Sequence, residues 1–222
     1  MFVRKDNNII WSRVLLGGFI TAILVGVGIL WADKILYSLF TSHNCWSLSN
    51  GWLCSVALIF GKIFSPKIWL VTSALSVLFF FIYKAIRNEF DFRYAFVKIK
   101  NSYVFYVFCS VVLAFITTGF LKVLIGRSRP FVLGNPYFAP WNFESVVHSM
   151  PSGHTTISFA ALIMIGMLFP RIKWATWTLA IAIGLSRIYV CAHWGSDVVL
   201  GAFVGMLCAD IVKSWLKKIN TK

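Results

Sequence analysis

The uncharged run from Val14 to Trp31 does most to limit how this chain can fold, because as a helix it is long enough to cross the roughly 30 Å hydrocarbon core of a bilayer. Arg4, Lys5 and Arg13 precede it, and Asp33 and Lys34 follow. The run exceeds the apolar core of a secretory signal and has no small-residue cleavage site before Asp33, so a retained span is expected. Comparable runs recur at residues 68–83, 103–121, 155–169, 174–190 and 196–212. With residues 14–31 they imply an all-α polytopic membrane protein of six transmembrane helices forming one compact domain over residues 1–222. Between the first two spans lie shorter apolar pieces and a polar turn at 42–51. The neighbourhoods of Phe40, Trp46 and Trp52 suit the headgroup region, which predicts an interfacial helix there.

Composition agrees: 59% of the 222 residues are hydrophobic and 13% charged, too apolar for a soluble domain of this size. The formal charge of +14 does not imply a nucleic-acid partner, since the basic residues cluster beside the apolar runs rather than along one polar face. Sorted across six spans, fourteen of them fall on the face holding both termini, among them Arg4, Lys5, Lys84, Arg93, Lys100, Lys173, Lys213 and Lys222. Seven fall on the other: Lys34, Lys62, Lys67, Lys122, Arg127, Arg129 and Arg187. The positive-inside rule then makes both termini cytoplasmic, in an inner membrane if the source is bacterial. Cys109 and Cys208 sit in apolar runs and read as packing residues, whereas Cys45 and Cys54 share one loop and can pair if it faces an oxidising compartment.

Pro151-Ser152-Gly153-His154 opens the fourth span after a long aromatic loop. Unpaired N–H groups and the helix dipole favour an anion there, with His154 beside it to move a proton; an ordinary cap made by Ser152 is the competing reading. Six-span topology ends span three, begins span four, ends span five and begins span six at one membrane boundary. There it gathers Lys122, Arg129, Ser152, Gly153, His154, Arg187, His193 and Asp197. Ionisable groups at that depth are costly, and their convergence points to function. Lys122, Arg129 and Arg187, with the Ser152 hydroxyl and the Gly153 N–H, supply donors for the non-bridging oxygens of a phosphate ester. His193 and Asp197, four residues apart, read as neighbours on one helical face. The carboxylate would fix the tautomer and leave the other ring nitrogen as nucleophile, while His154 would protonate the leaving oxygen. No carboxylate cluster is available for magnesium, so no metal or other cofactor is expected. Arg127 and Lys62 are assigned to headgroup snorkelling, Asp210 to a local ion pair with Lys213, and His43 and His148 to no role.

Lys122-x6-Arg129-Pro130, Pro151-Ser152-Gly153-His154 and Ser186-Arg187-x5-His193-x3-Asp197 resemble the three-part signature of the type 2 phosphatidic acid phosphatase superfamily, in order and in internal spacing. That resemblance implies a six-helix membrane phosphatase working through a covalent phosphohistidine without a metal. Phosphate would be bound by Lys122, Arg129, Ser152, Gly153 and Arg187, with His154 as acid, His193 as nucleophile and Asp197 as its partner. The expected substrate is a phosphorylated membrane lipid, dephosphorylated at the extracytoplasmic face. Phosphatidic acid, phosphatidylglycerophosphate, an isoprenyl diphosphate and phosphorylated lipid A all qualify. A lipid phosphotransferase using the same intermediate, or an anion or lipid transporter, are the alternatives. The aromatic loop from Phe131 to Met150 reads equally as a lid over the lipid chains and as an interfacial belt.

Overall fold

The computed structural model describes residues 2, 8–41, 45, 51–87, 91, 94, 98–99 and 102–220. His43, Trp46 and most of the polar turn lie outside these residues, as do Arg4, Lys5, Arg93, Lys100 and Lys222. Helix α1 (Trp11–Val27) continues through a π-helical segment (Gly28–Ala32) into α2 (Asp33–Thr41). There follow α3 (Trp52–Ile63), α4 (Pro66–Arg87), α5 (Tyr103–Ile125), α6 (Gly153–Leu168), α7 (Lys173–Tyr189) and α8 (Gly195–Asn220). Among the described residues no strand forms, and one isolated antiparallel bridge pairs Arg127 with Phe138. Among the described residues, four stretches are long and apolar enough to cross a membrane: Trp11–Thr41, Pro66–Arg87, Tyr103–Ile125 and Gly195–Leu216. The helices expected at 155–169 and 174–190 are present as α6 and α7, of 16 and 17 residues. The first helix runs further than its apolar stretch, to Thr41, because Asp33 is buried in the bundle instead of facing lipid.

Helix α6 is the axis of the bundle. Twelve of its sixteen residues are buried, the pattern of a helix apolar all round and enclosed by others. It packs against α5, α7 and α8, with α4 also in contact. Close approach of α8 depends on Gly205, where a Cβ would run into the Thr156 carbonyl and stand 2.7 Å from the Phe159 Cβ. Polar cross-links are few and paired: Ser110 donates to the Ala160 carbonyl at 3.0 Å, and the Trp69 indole N–H to the Ser158 hydroxyl at 2.9 Å. By contrast α1 exposes Leu15, Leu16, Phe19 and Leu24, an outward face suited to lipid. Asp210, expected to pair with Lys213, accepts a hydrogen bond from the Phe2 N–H at 2.9 Å, with Lys213 an electrostatic neighbour.

Of the residues on which an interfacial helix is expected, Phe40 lies in α2 and Trp52 opens α3. Helix α3 packs on α7 and buries Cys54, Ala57 and Gly61 while exposing Trp52, Val56, Ile59 and Ile63. Cys45 and Cys54 are disulfide-bonded, and the bond packs with Val190 and Ala192 in the loop after α7.

Candidate active site

The site begins where α5 stops. Gly126 caps α5 in the left-handed region, φ 58°, and donates its N–H to the Lys122 carbonyl; a Cβ there would strike the Ala139 carbonyl. This turn leaves Lys122 in the last turn of α5 and folds residues 127–150 back over the helix ends. The Lys122 ammonium donates to the His148 carbonyl and, at 3.4 Å, to that of Ser149. Arg129 spreads its guanidinium over the carbonyls of Ser145, Ala192 and His148 at 3.3–3.4 Å. Burial pushes the Arg129 pKa below its ordinary value, with the Asp197 carboxylate opposing the shift. Two cations are thus held by backbone oxygens at one spot.

Opposite them, Ser152 caps α6. Its hydroxyl oxygen accepts from the Thr155 N–H at 3.5 Å and the Thr155 hydroxyl at 3.0 Å, so the ordinary cap is made. The N–H groups of Gly153 and His154, in the first turn, have no hydrogen-bond partner among the described residues. The anion reading therefore stands beside the cap. His154 turns its Nε2 toward the Gly61 carbonyl at 3.1 Å; as that oxygen only accepts, Nε2 carries the proton. Arg187, at the end of α7, donates to the Ala57 carbonyl and, through Nε, to the Ser186 hydroxyl at 3.0 Å. Arg187, Arg129 and Lys122 all lie close enough to interact electrostatically with His154.

His193 and Asp197 come together, though not on one helical face. His193 lies in the loop ahead of α8, after a left-handed turn at Cys191 with φ 52°. Asp197 sits in the first turn of α8 and reaches back to accept the Trp194 N–H at 2.9 Å, the return half of a capping box. Its Oδ2 is 3.6 Å from His193 Nδ1, and the Ser149 hydroxyl stands beside both, donating to Oδ2 at 2.5 Å and lying 3.4 Å from Nδ1. Nδ1 therefore faces acceptors and Nε2 is the nitrogen left with a lone pair. Burial pulls the His193 pKa down to about 3. The Asp197 carboxylate opposes this, and the charges of Arg129 and Lys122 add to it.

Arg127 corrects the sequence reading. It does not snorkel: it is completely buried, with ion pairs of 2.7 Å to both Asp33 and Asp197 and its guanidinium over the rings of Phe138 and Trp194. The left-handed cap at Gly126 turns the chain inward before Arg127, and no charge pattern reveals that. Asp33 and Gly61 reach the site from elements distant in sequence, and Ser149 and Ser196 stand beside motif residues with no spacing that marks them, so the sequence reading does not include these four. Lys62, the other residue assigned to snorkelling, is exposed.

Besides a small cleft of about 10 Å³ at Asp33, His193 and Trp194, two wider openings lie near the site. A cavity of about 360 Å³ is lined by Tyr37, Phe40, Thr41, Phe131, Tyr189 and Cys191. An apolar groove of about 660 Å³ runs between α2, α3 and α7, walled by Leu36, Phe40, Leu53, Val56, Phe60 and Leu185. Ala57 and Ser186, which hold Arg187, line the same groove.

Membrane-length helices around an enclosed one, with three basic side chains, two histidines and a buried carboxylate gathered at one set of helix ends, define a helical membrane protein with a buried cluster of ionisable groups. A family model described as the PAP2 superfamily matches residues 103–221, more than half of the chain and all the residues just placed except those of α1 to α4. The chain belongs to that superfamily. It is 39% identical over 103 residues, 45% of its length, to a lipid A 1-phosphatase of Rhizobium johnstonii. Over 149 residues, 64% of its length, it is 34% identical to a lipid A 1-phosphatase of Rhizobium etli. These matches span 42% and 62% of the two relatives' own lengths. The fold resembles that of a transmembrane PAP2-type phosphatidylglycerolphosphate phosphatase from Bacillus subtilis, with a TM-score of 0.57 at 18% identity over 93% of this chain and 96% of that one.

Proposed function

We propose that the protein is an integral-membrane lipid phosphatase, one domain of six spans with α3 at the interface, that removes phosphate from a membrane lipid at the extracytoplasmic face without a metal. The observation that carries this reading is the gathering of Lys122, Arg129, Arg187, His154 and the His193–Asp197 pair around the N-terminus of α6. Lys122, Arg129 and Arg187, together with Ser152 and the Gly153 N–H, hold the non-bridging oxygens. His193 Nε2 attacks phosphorus, and the bond from phosphorus to the lipid oxygen breaks. His154, doubly protonated once the phosphate dianion is bound beside it, gives that oxygen a proton and becomes neutral. Water then attacks the phosphohistidine, His154 takes its proton, the P–N bond breaks, and phosphate leaves with His193 restored. Asp197 stabilises the ring while it is positive.

Three features support the lipid and the side. The apolar groove reaches Arg187, so a hydrocarbon chain can lie in it while its phosphate meets the site. The disulfide beside the site belongs in an oxidising compartment. The distribution of basic residues favours termini on the opposite, cytoplasmic side. Among the lipids, the lipid A 1-phosphatase relatives favour a phosphorylated glycolipid.

The test is phosphate release by purified protein in detergent with a chelator present, from lipid A, phosphatidic acid, phosphatidylglycerophosphate and an isoprenyl diphosphate. Release from at least one lipid, loss in His193→Ala and an acid-labile, base-stable phosphoenzyme are expected. Full activity in His193→Ala would remove the nucleophile assignment; transfer to a lipid acceptor without free phosphate would make the protein a transferase. Impermeant labelling of a cysteine introduced at Phe143 from the cytoplasmic side alone would reverse the orientation.

A further inference from the structure

The mechanism above leaves the buried charges behind Asp197 unused. Arg127 Nη2 lies 2.7 Å from Asp33 Oδ2, and Nη1 lies 2.7 Å from Asp197 Oδ1. Ser196 ties the two together. Its hydroxyl accepts from Arg127 Nη1 at 2.5 Å and donates to Asp33 Oδ2 at 2.5 Å, and its N–H donates to Asp33 Oδ1 at 2.9 Å. All four residues are at most 2% exposed. Asp33 comes from the far end of the sequence, on the first helix, and the π-helical segment Gly28–Ala32 immediately precedes it. Each residue advances a helical face by about 100°, so the residue inserted by such a segment re-aims the side chains that follow it. Gly28 admits the contact: a Cβ there would stand 2.8 Å from the Ser196 Cβ.

We propose that Asp33 is a positioning residue for the reaction, acting through Arg127 to fix Asp197 beside His193 and to keep the buried cluster one negative charge in excess. This rests on the proposed phosphohistidine chemistry. With Arg127 alone, the Asp197 carboxylate would be neutralised by its own ion pair and would offer little to a ring that turns positive on attack. Two carboxylates sharing one guanidinium leave a net negative charge, which is costly to bury unless a cation comes to it. Lys122 and Arg129 reach Asp197 electrostatically, and the His193 cation formed as phosphorus is attacked adds a partner 3.6 Å from Asp197 Oδ2. The guanidinium fork, held at both ends, also stops Asp197 from rotating away.

The test compares Asp33→Asn, Asp197→Asn and the double variant of the full chain in detergent, with kcat and KM measured on the best lipid substrate. Asparagine keeps the shape of Asp33 and removes its charge. The expected result is a loss of about 10- to 100-fold in kcat with KM within about twofold, and no further loss when Asp33→Asn is added to Asp197→Asn, because residues acting as a unit are not additive. Asp33→Glu, which keeps the charge, recovers most of the rate. An unchanged kcat in Asp33→Asn, or a loss of equal size in the Asp197→Asn background, overturns the proposal. If Asp33→Asn does not fold, Ser196→Ala carries the same comparison: its kcat falls, and the fall disappears in the Asp197→Asn background, or the proposal fails. Absence of turnover by the unsubstituted protein on every lipid overturns the phosphatase reading and this one with it. Normal turnover with an indifferent Asp33 overturns only this one.

Discussion

Gly61 and Arg187 occupy one space: a Cβ on Gly61 would fall within the Arg187 guanidinium. Helix α3 can therefore lie close against α7 only because this position lacks a side chain, and the same glycine offers its carbonyl to His154. Gly61→Ala is expected to displace Arg187 while leaving the helix formed. Since a charge-assisted hydrogen bond contributes about 1.5–3 kcal/mol, kcat/KM should fall about 10- to 100-fold, with weaker inhibition by vanadate. Wild-type kinetics in this variant would mean that Arg187 does not hold phosphate.

The depressed pKa of His193 makes a prediction about stability. Burial holds the folded pKa near 3, below the ordinary 6.5, so between those values the unfolded chain binds a proton that the folded one refuses. The stabilising contribution is complete above pH 6.5 and is lost as pH falls through about 3. Thermal unfolding in detergent should therefore drop more steeply between pH 7 and pH 4.5 for wild type than for His193→Gln. Parallel curves would show that His193 titrates normally.

Gly205 tests the packing that sets the site's frame. Its missing Cβ lets α8 rest on the Thr156 carbonyl, and Gly205→Val should lower stability by about 1–3 kcal/mol or more through overpacking. Gly26, where an added Cβ meets nothing within 4 Å, is the control. Gly26→Ala should raise stability by roughly 0.5–1 kcal/mol, from helix entropy alone. Melting temperatures of both variants in one detergent decide the matter; equal shifts would remove the packing argument.

The sequence was most readable where the physics is local. Apolar length located the helices, and the spacings around Lys122, His154, Arg187 and His193 picked out residues that the fold gathers. What it hid depends on tertiary direction. Arg127 reads as a flanking arginine until the left-handed Gly126 turns it inward, and Asp33 reads as a span-end charge until a π-helical segment turns it toward Ser196. The four-residue spacing of His193 and Asp197 suggested a helical face, whereas the contact arises from a carboxylate capping its own helix. Short apolar helices also escape a length criterion: α6 is the most enclosed element yet shorter than a typical span.

Ser149 is the hydroxyl that periodicity does not find, because it lies in irregular backbone just ahead of Pro151. Its Oγ donates to Asp197 Oδ2, its N–H to the Arg127 carbonyl at 2.9 Å, and its carbonyl accepts from Lys122. The residue thus joins Lys122, the proposed phosphate-binding lysine, to the carboxylate behind His193, the proposed nucleophile. Ser149→Ala keeps both backbone contacts and removes only the hydroxyl. A hydrogen bond to a charged group is worth about 1.5–3 kcal/mol, and part of it is recovered as Asp197 moves toward Nδ1, so kcat should fall about tenfold with KM unchanged. Ser149→Thr, which restores the donor, should recover most of the rate. A change confined to KM would assign Ser149 to substrate binding instead of to the His193–Asp197 pair.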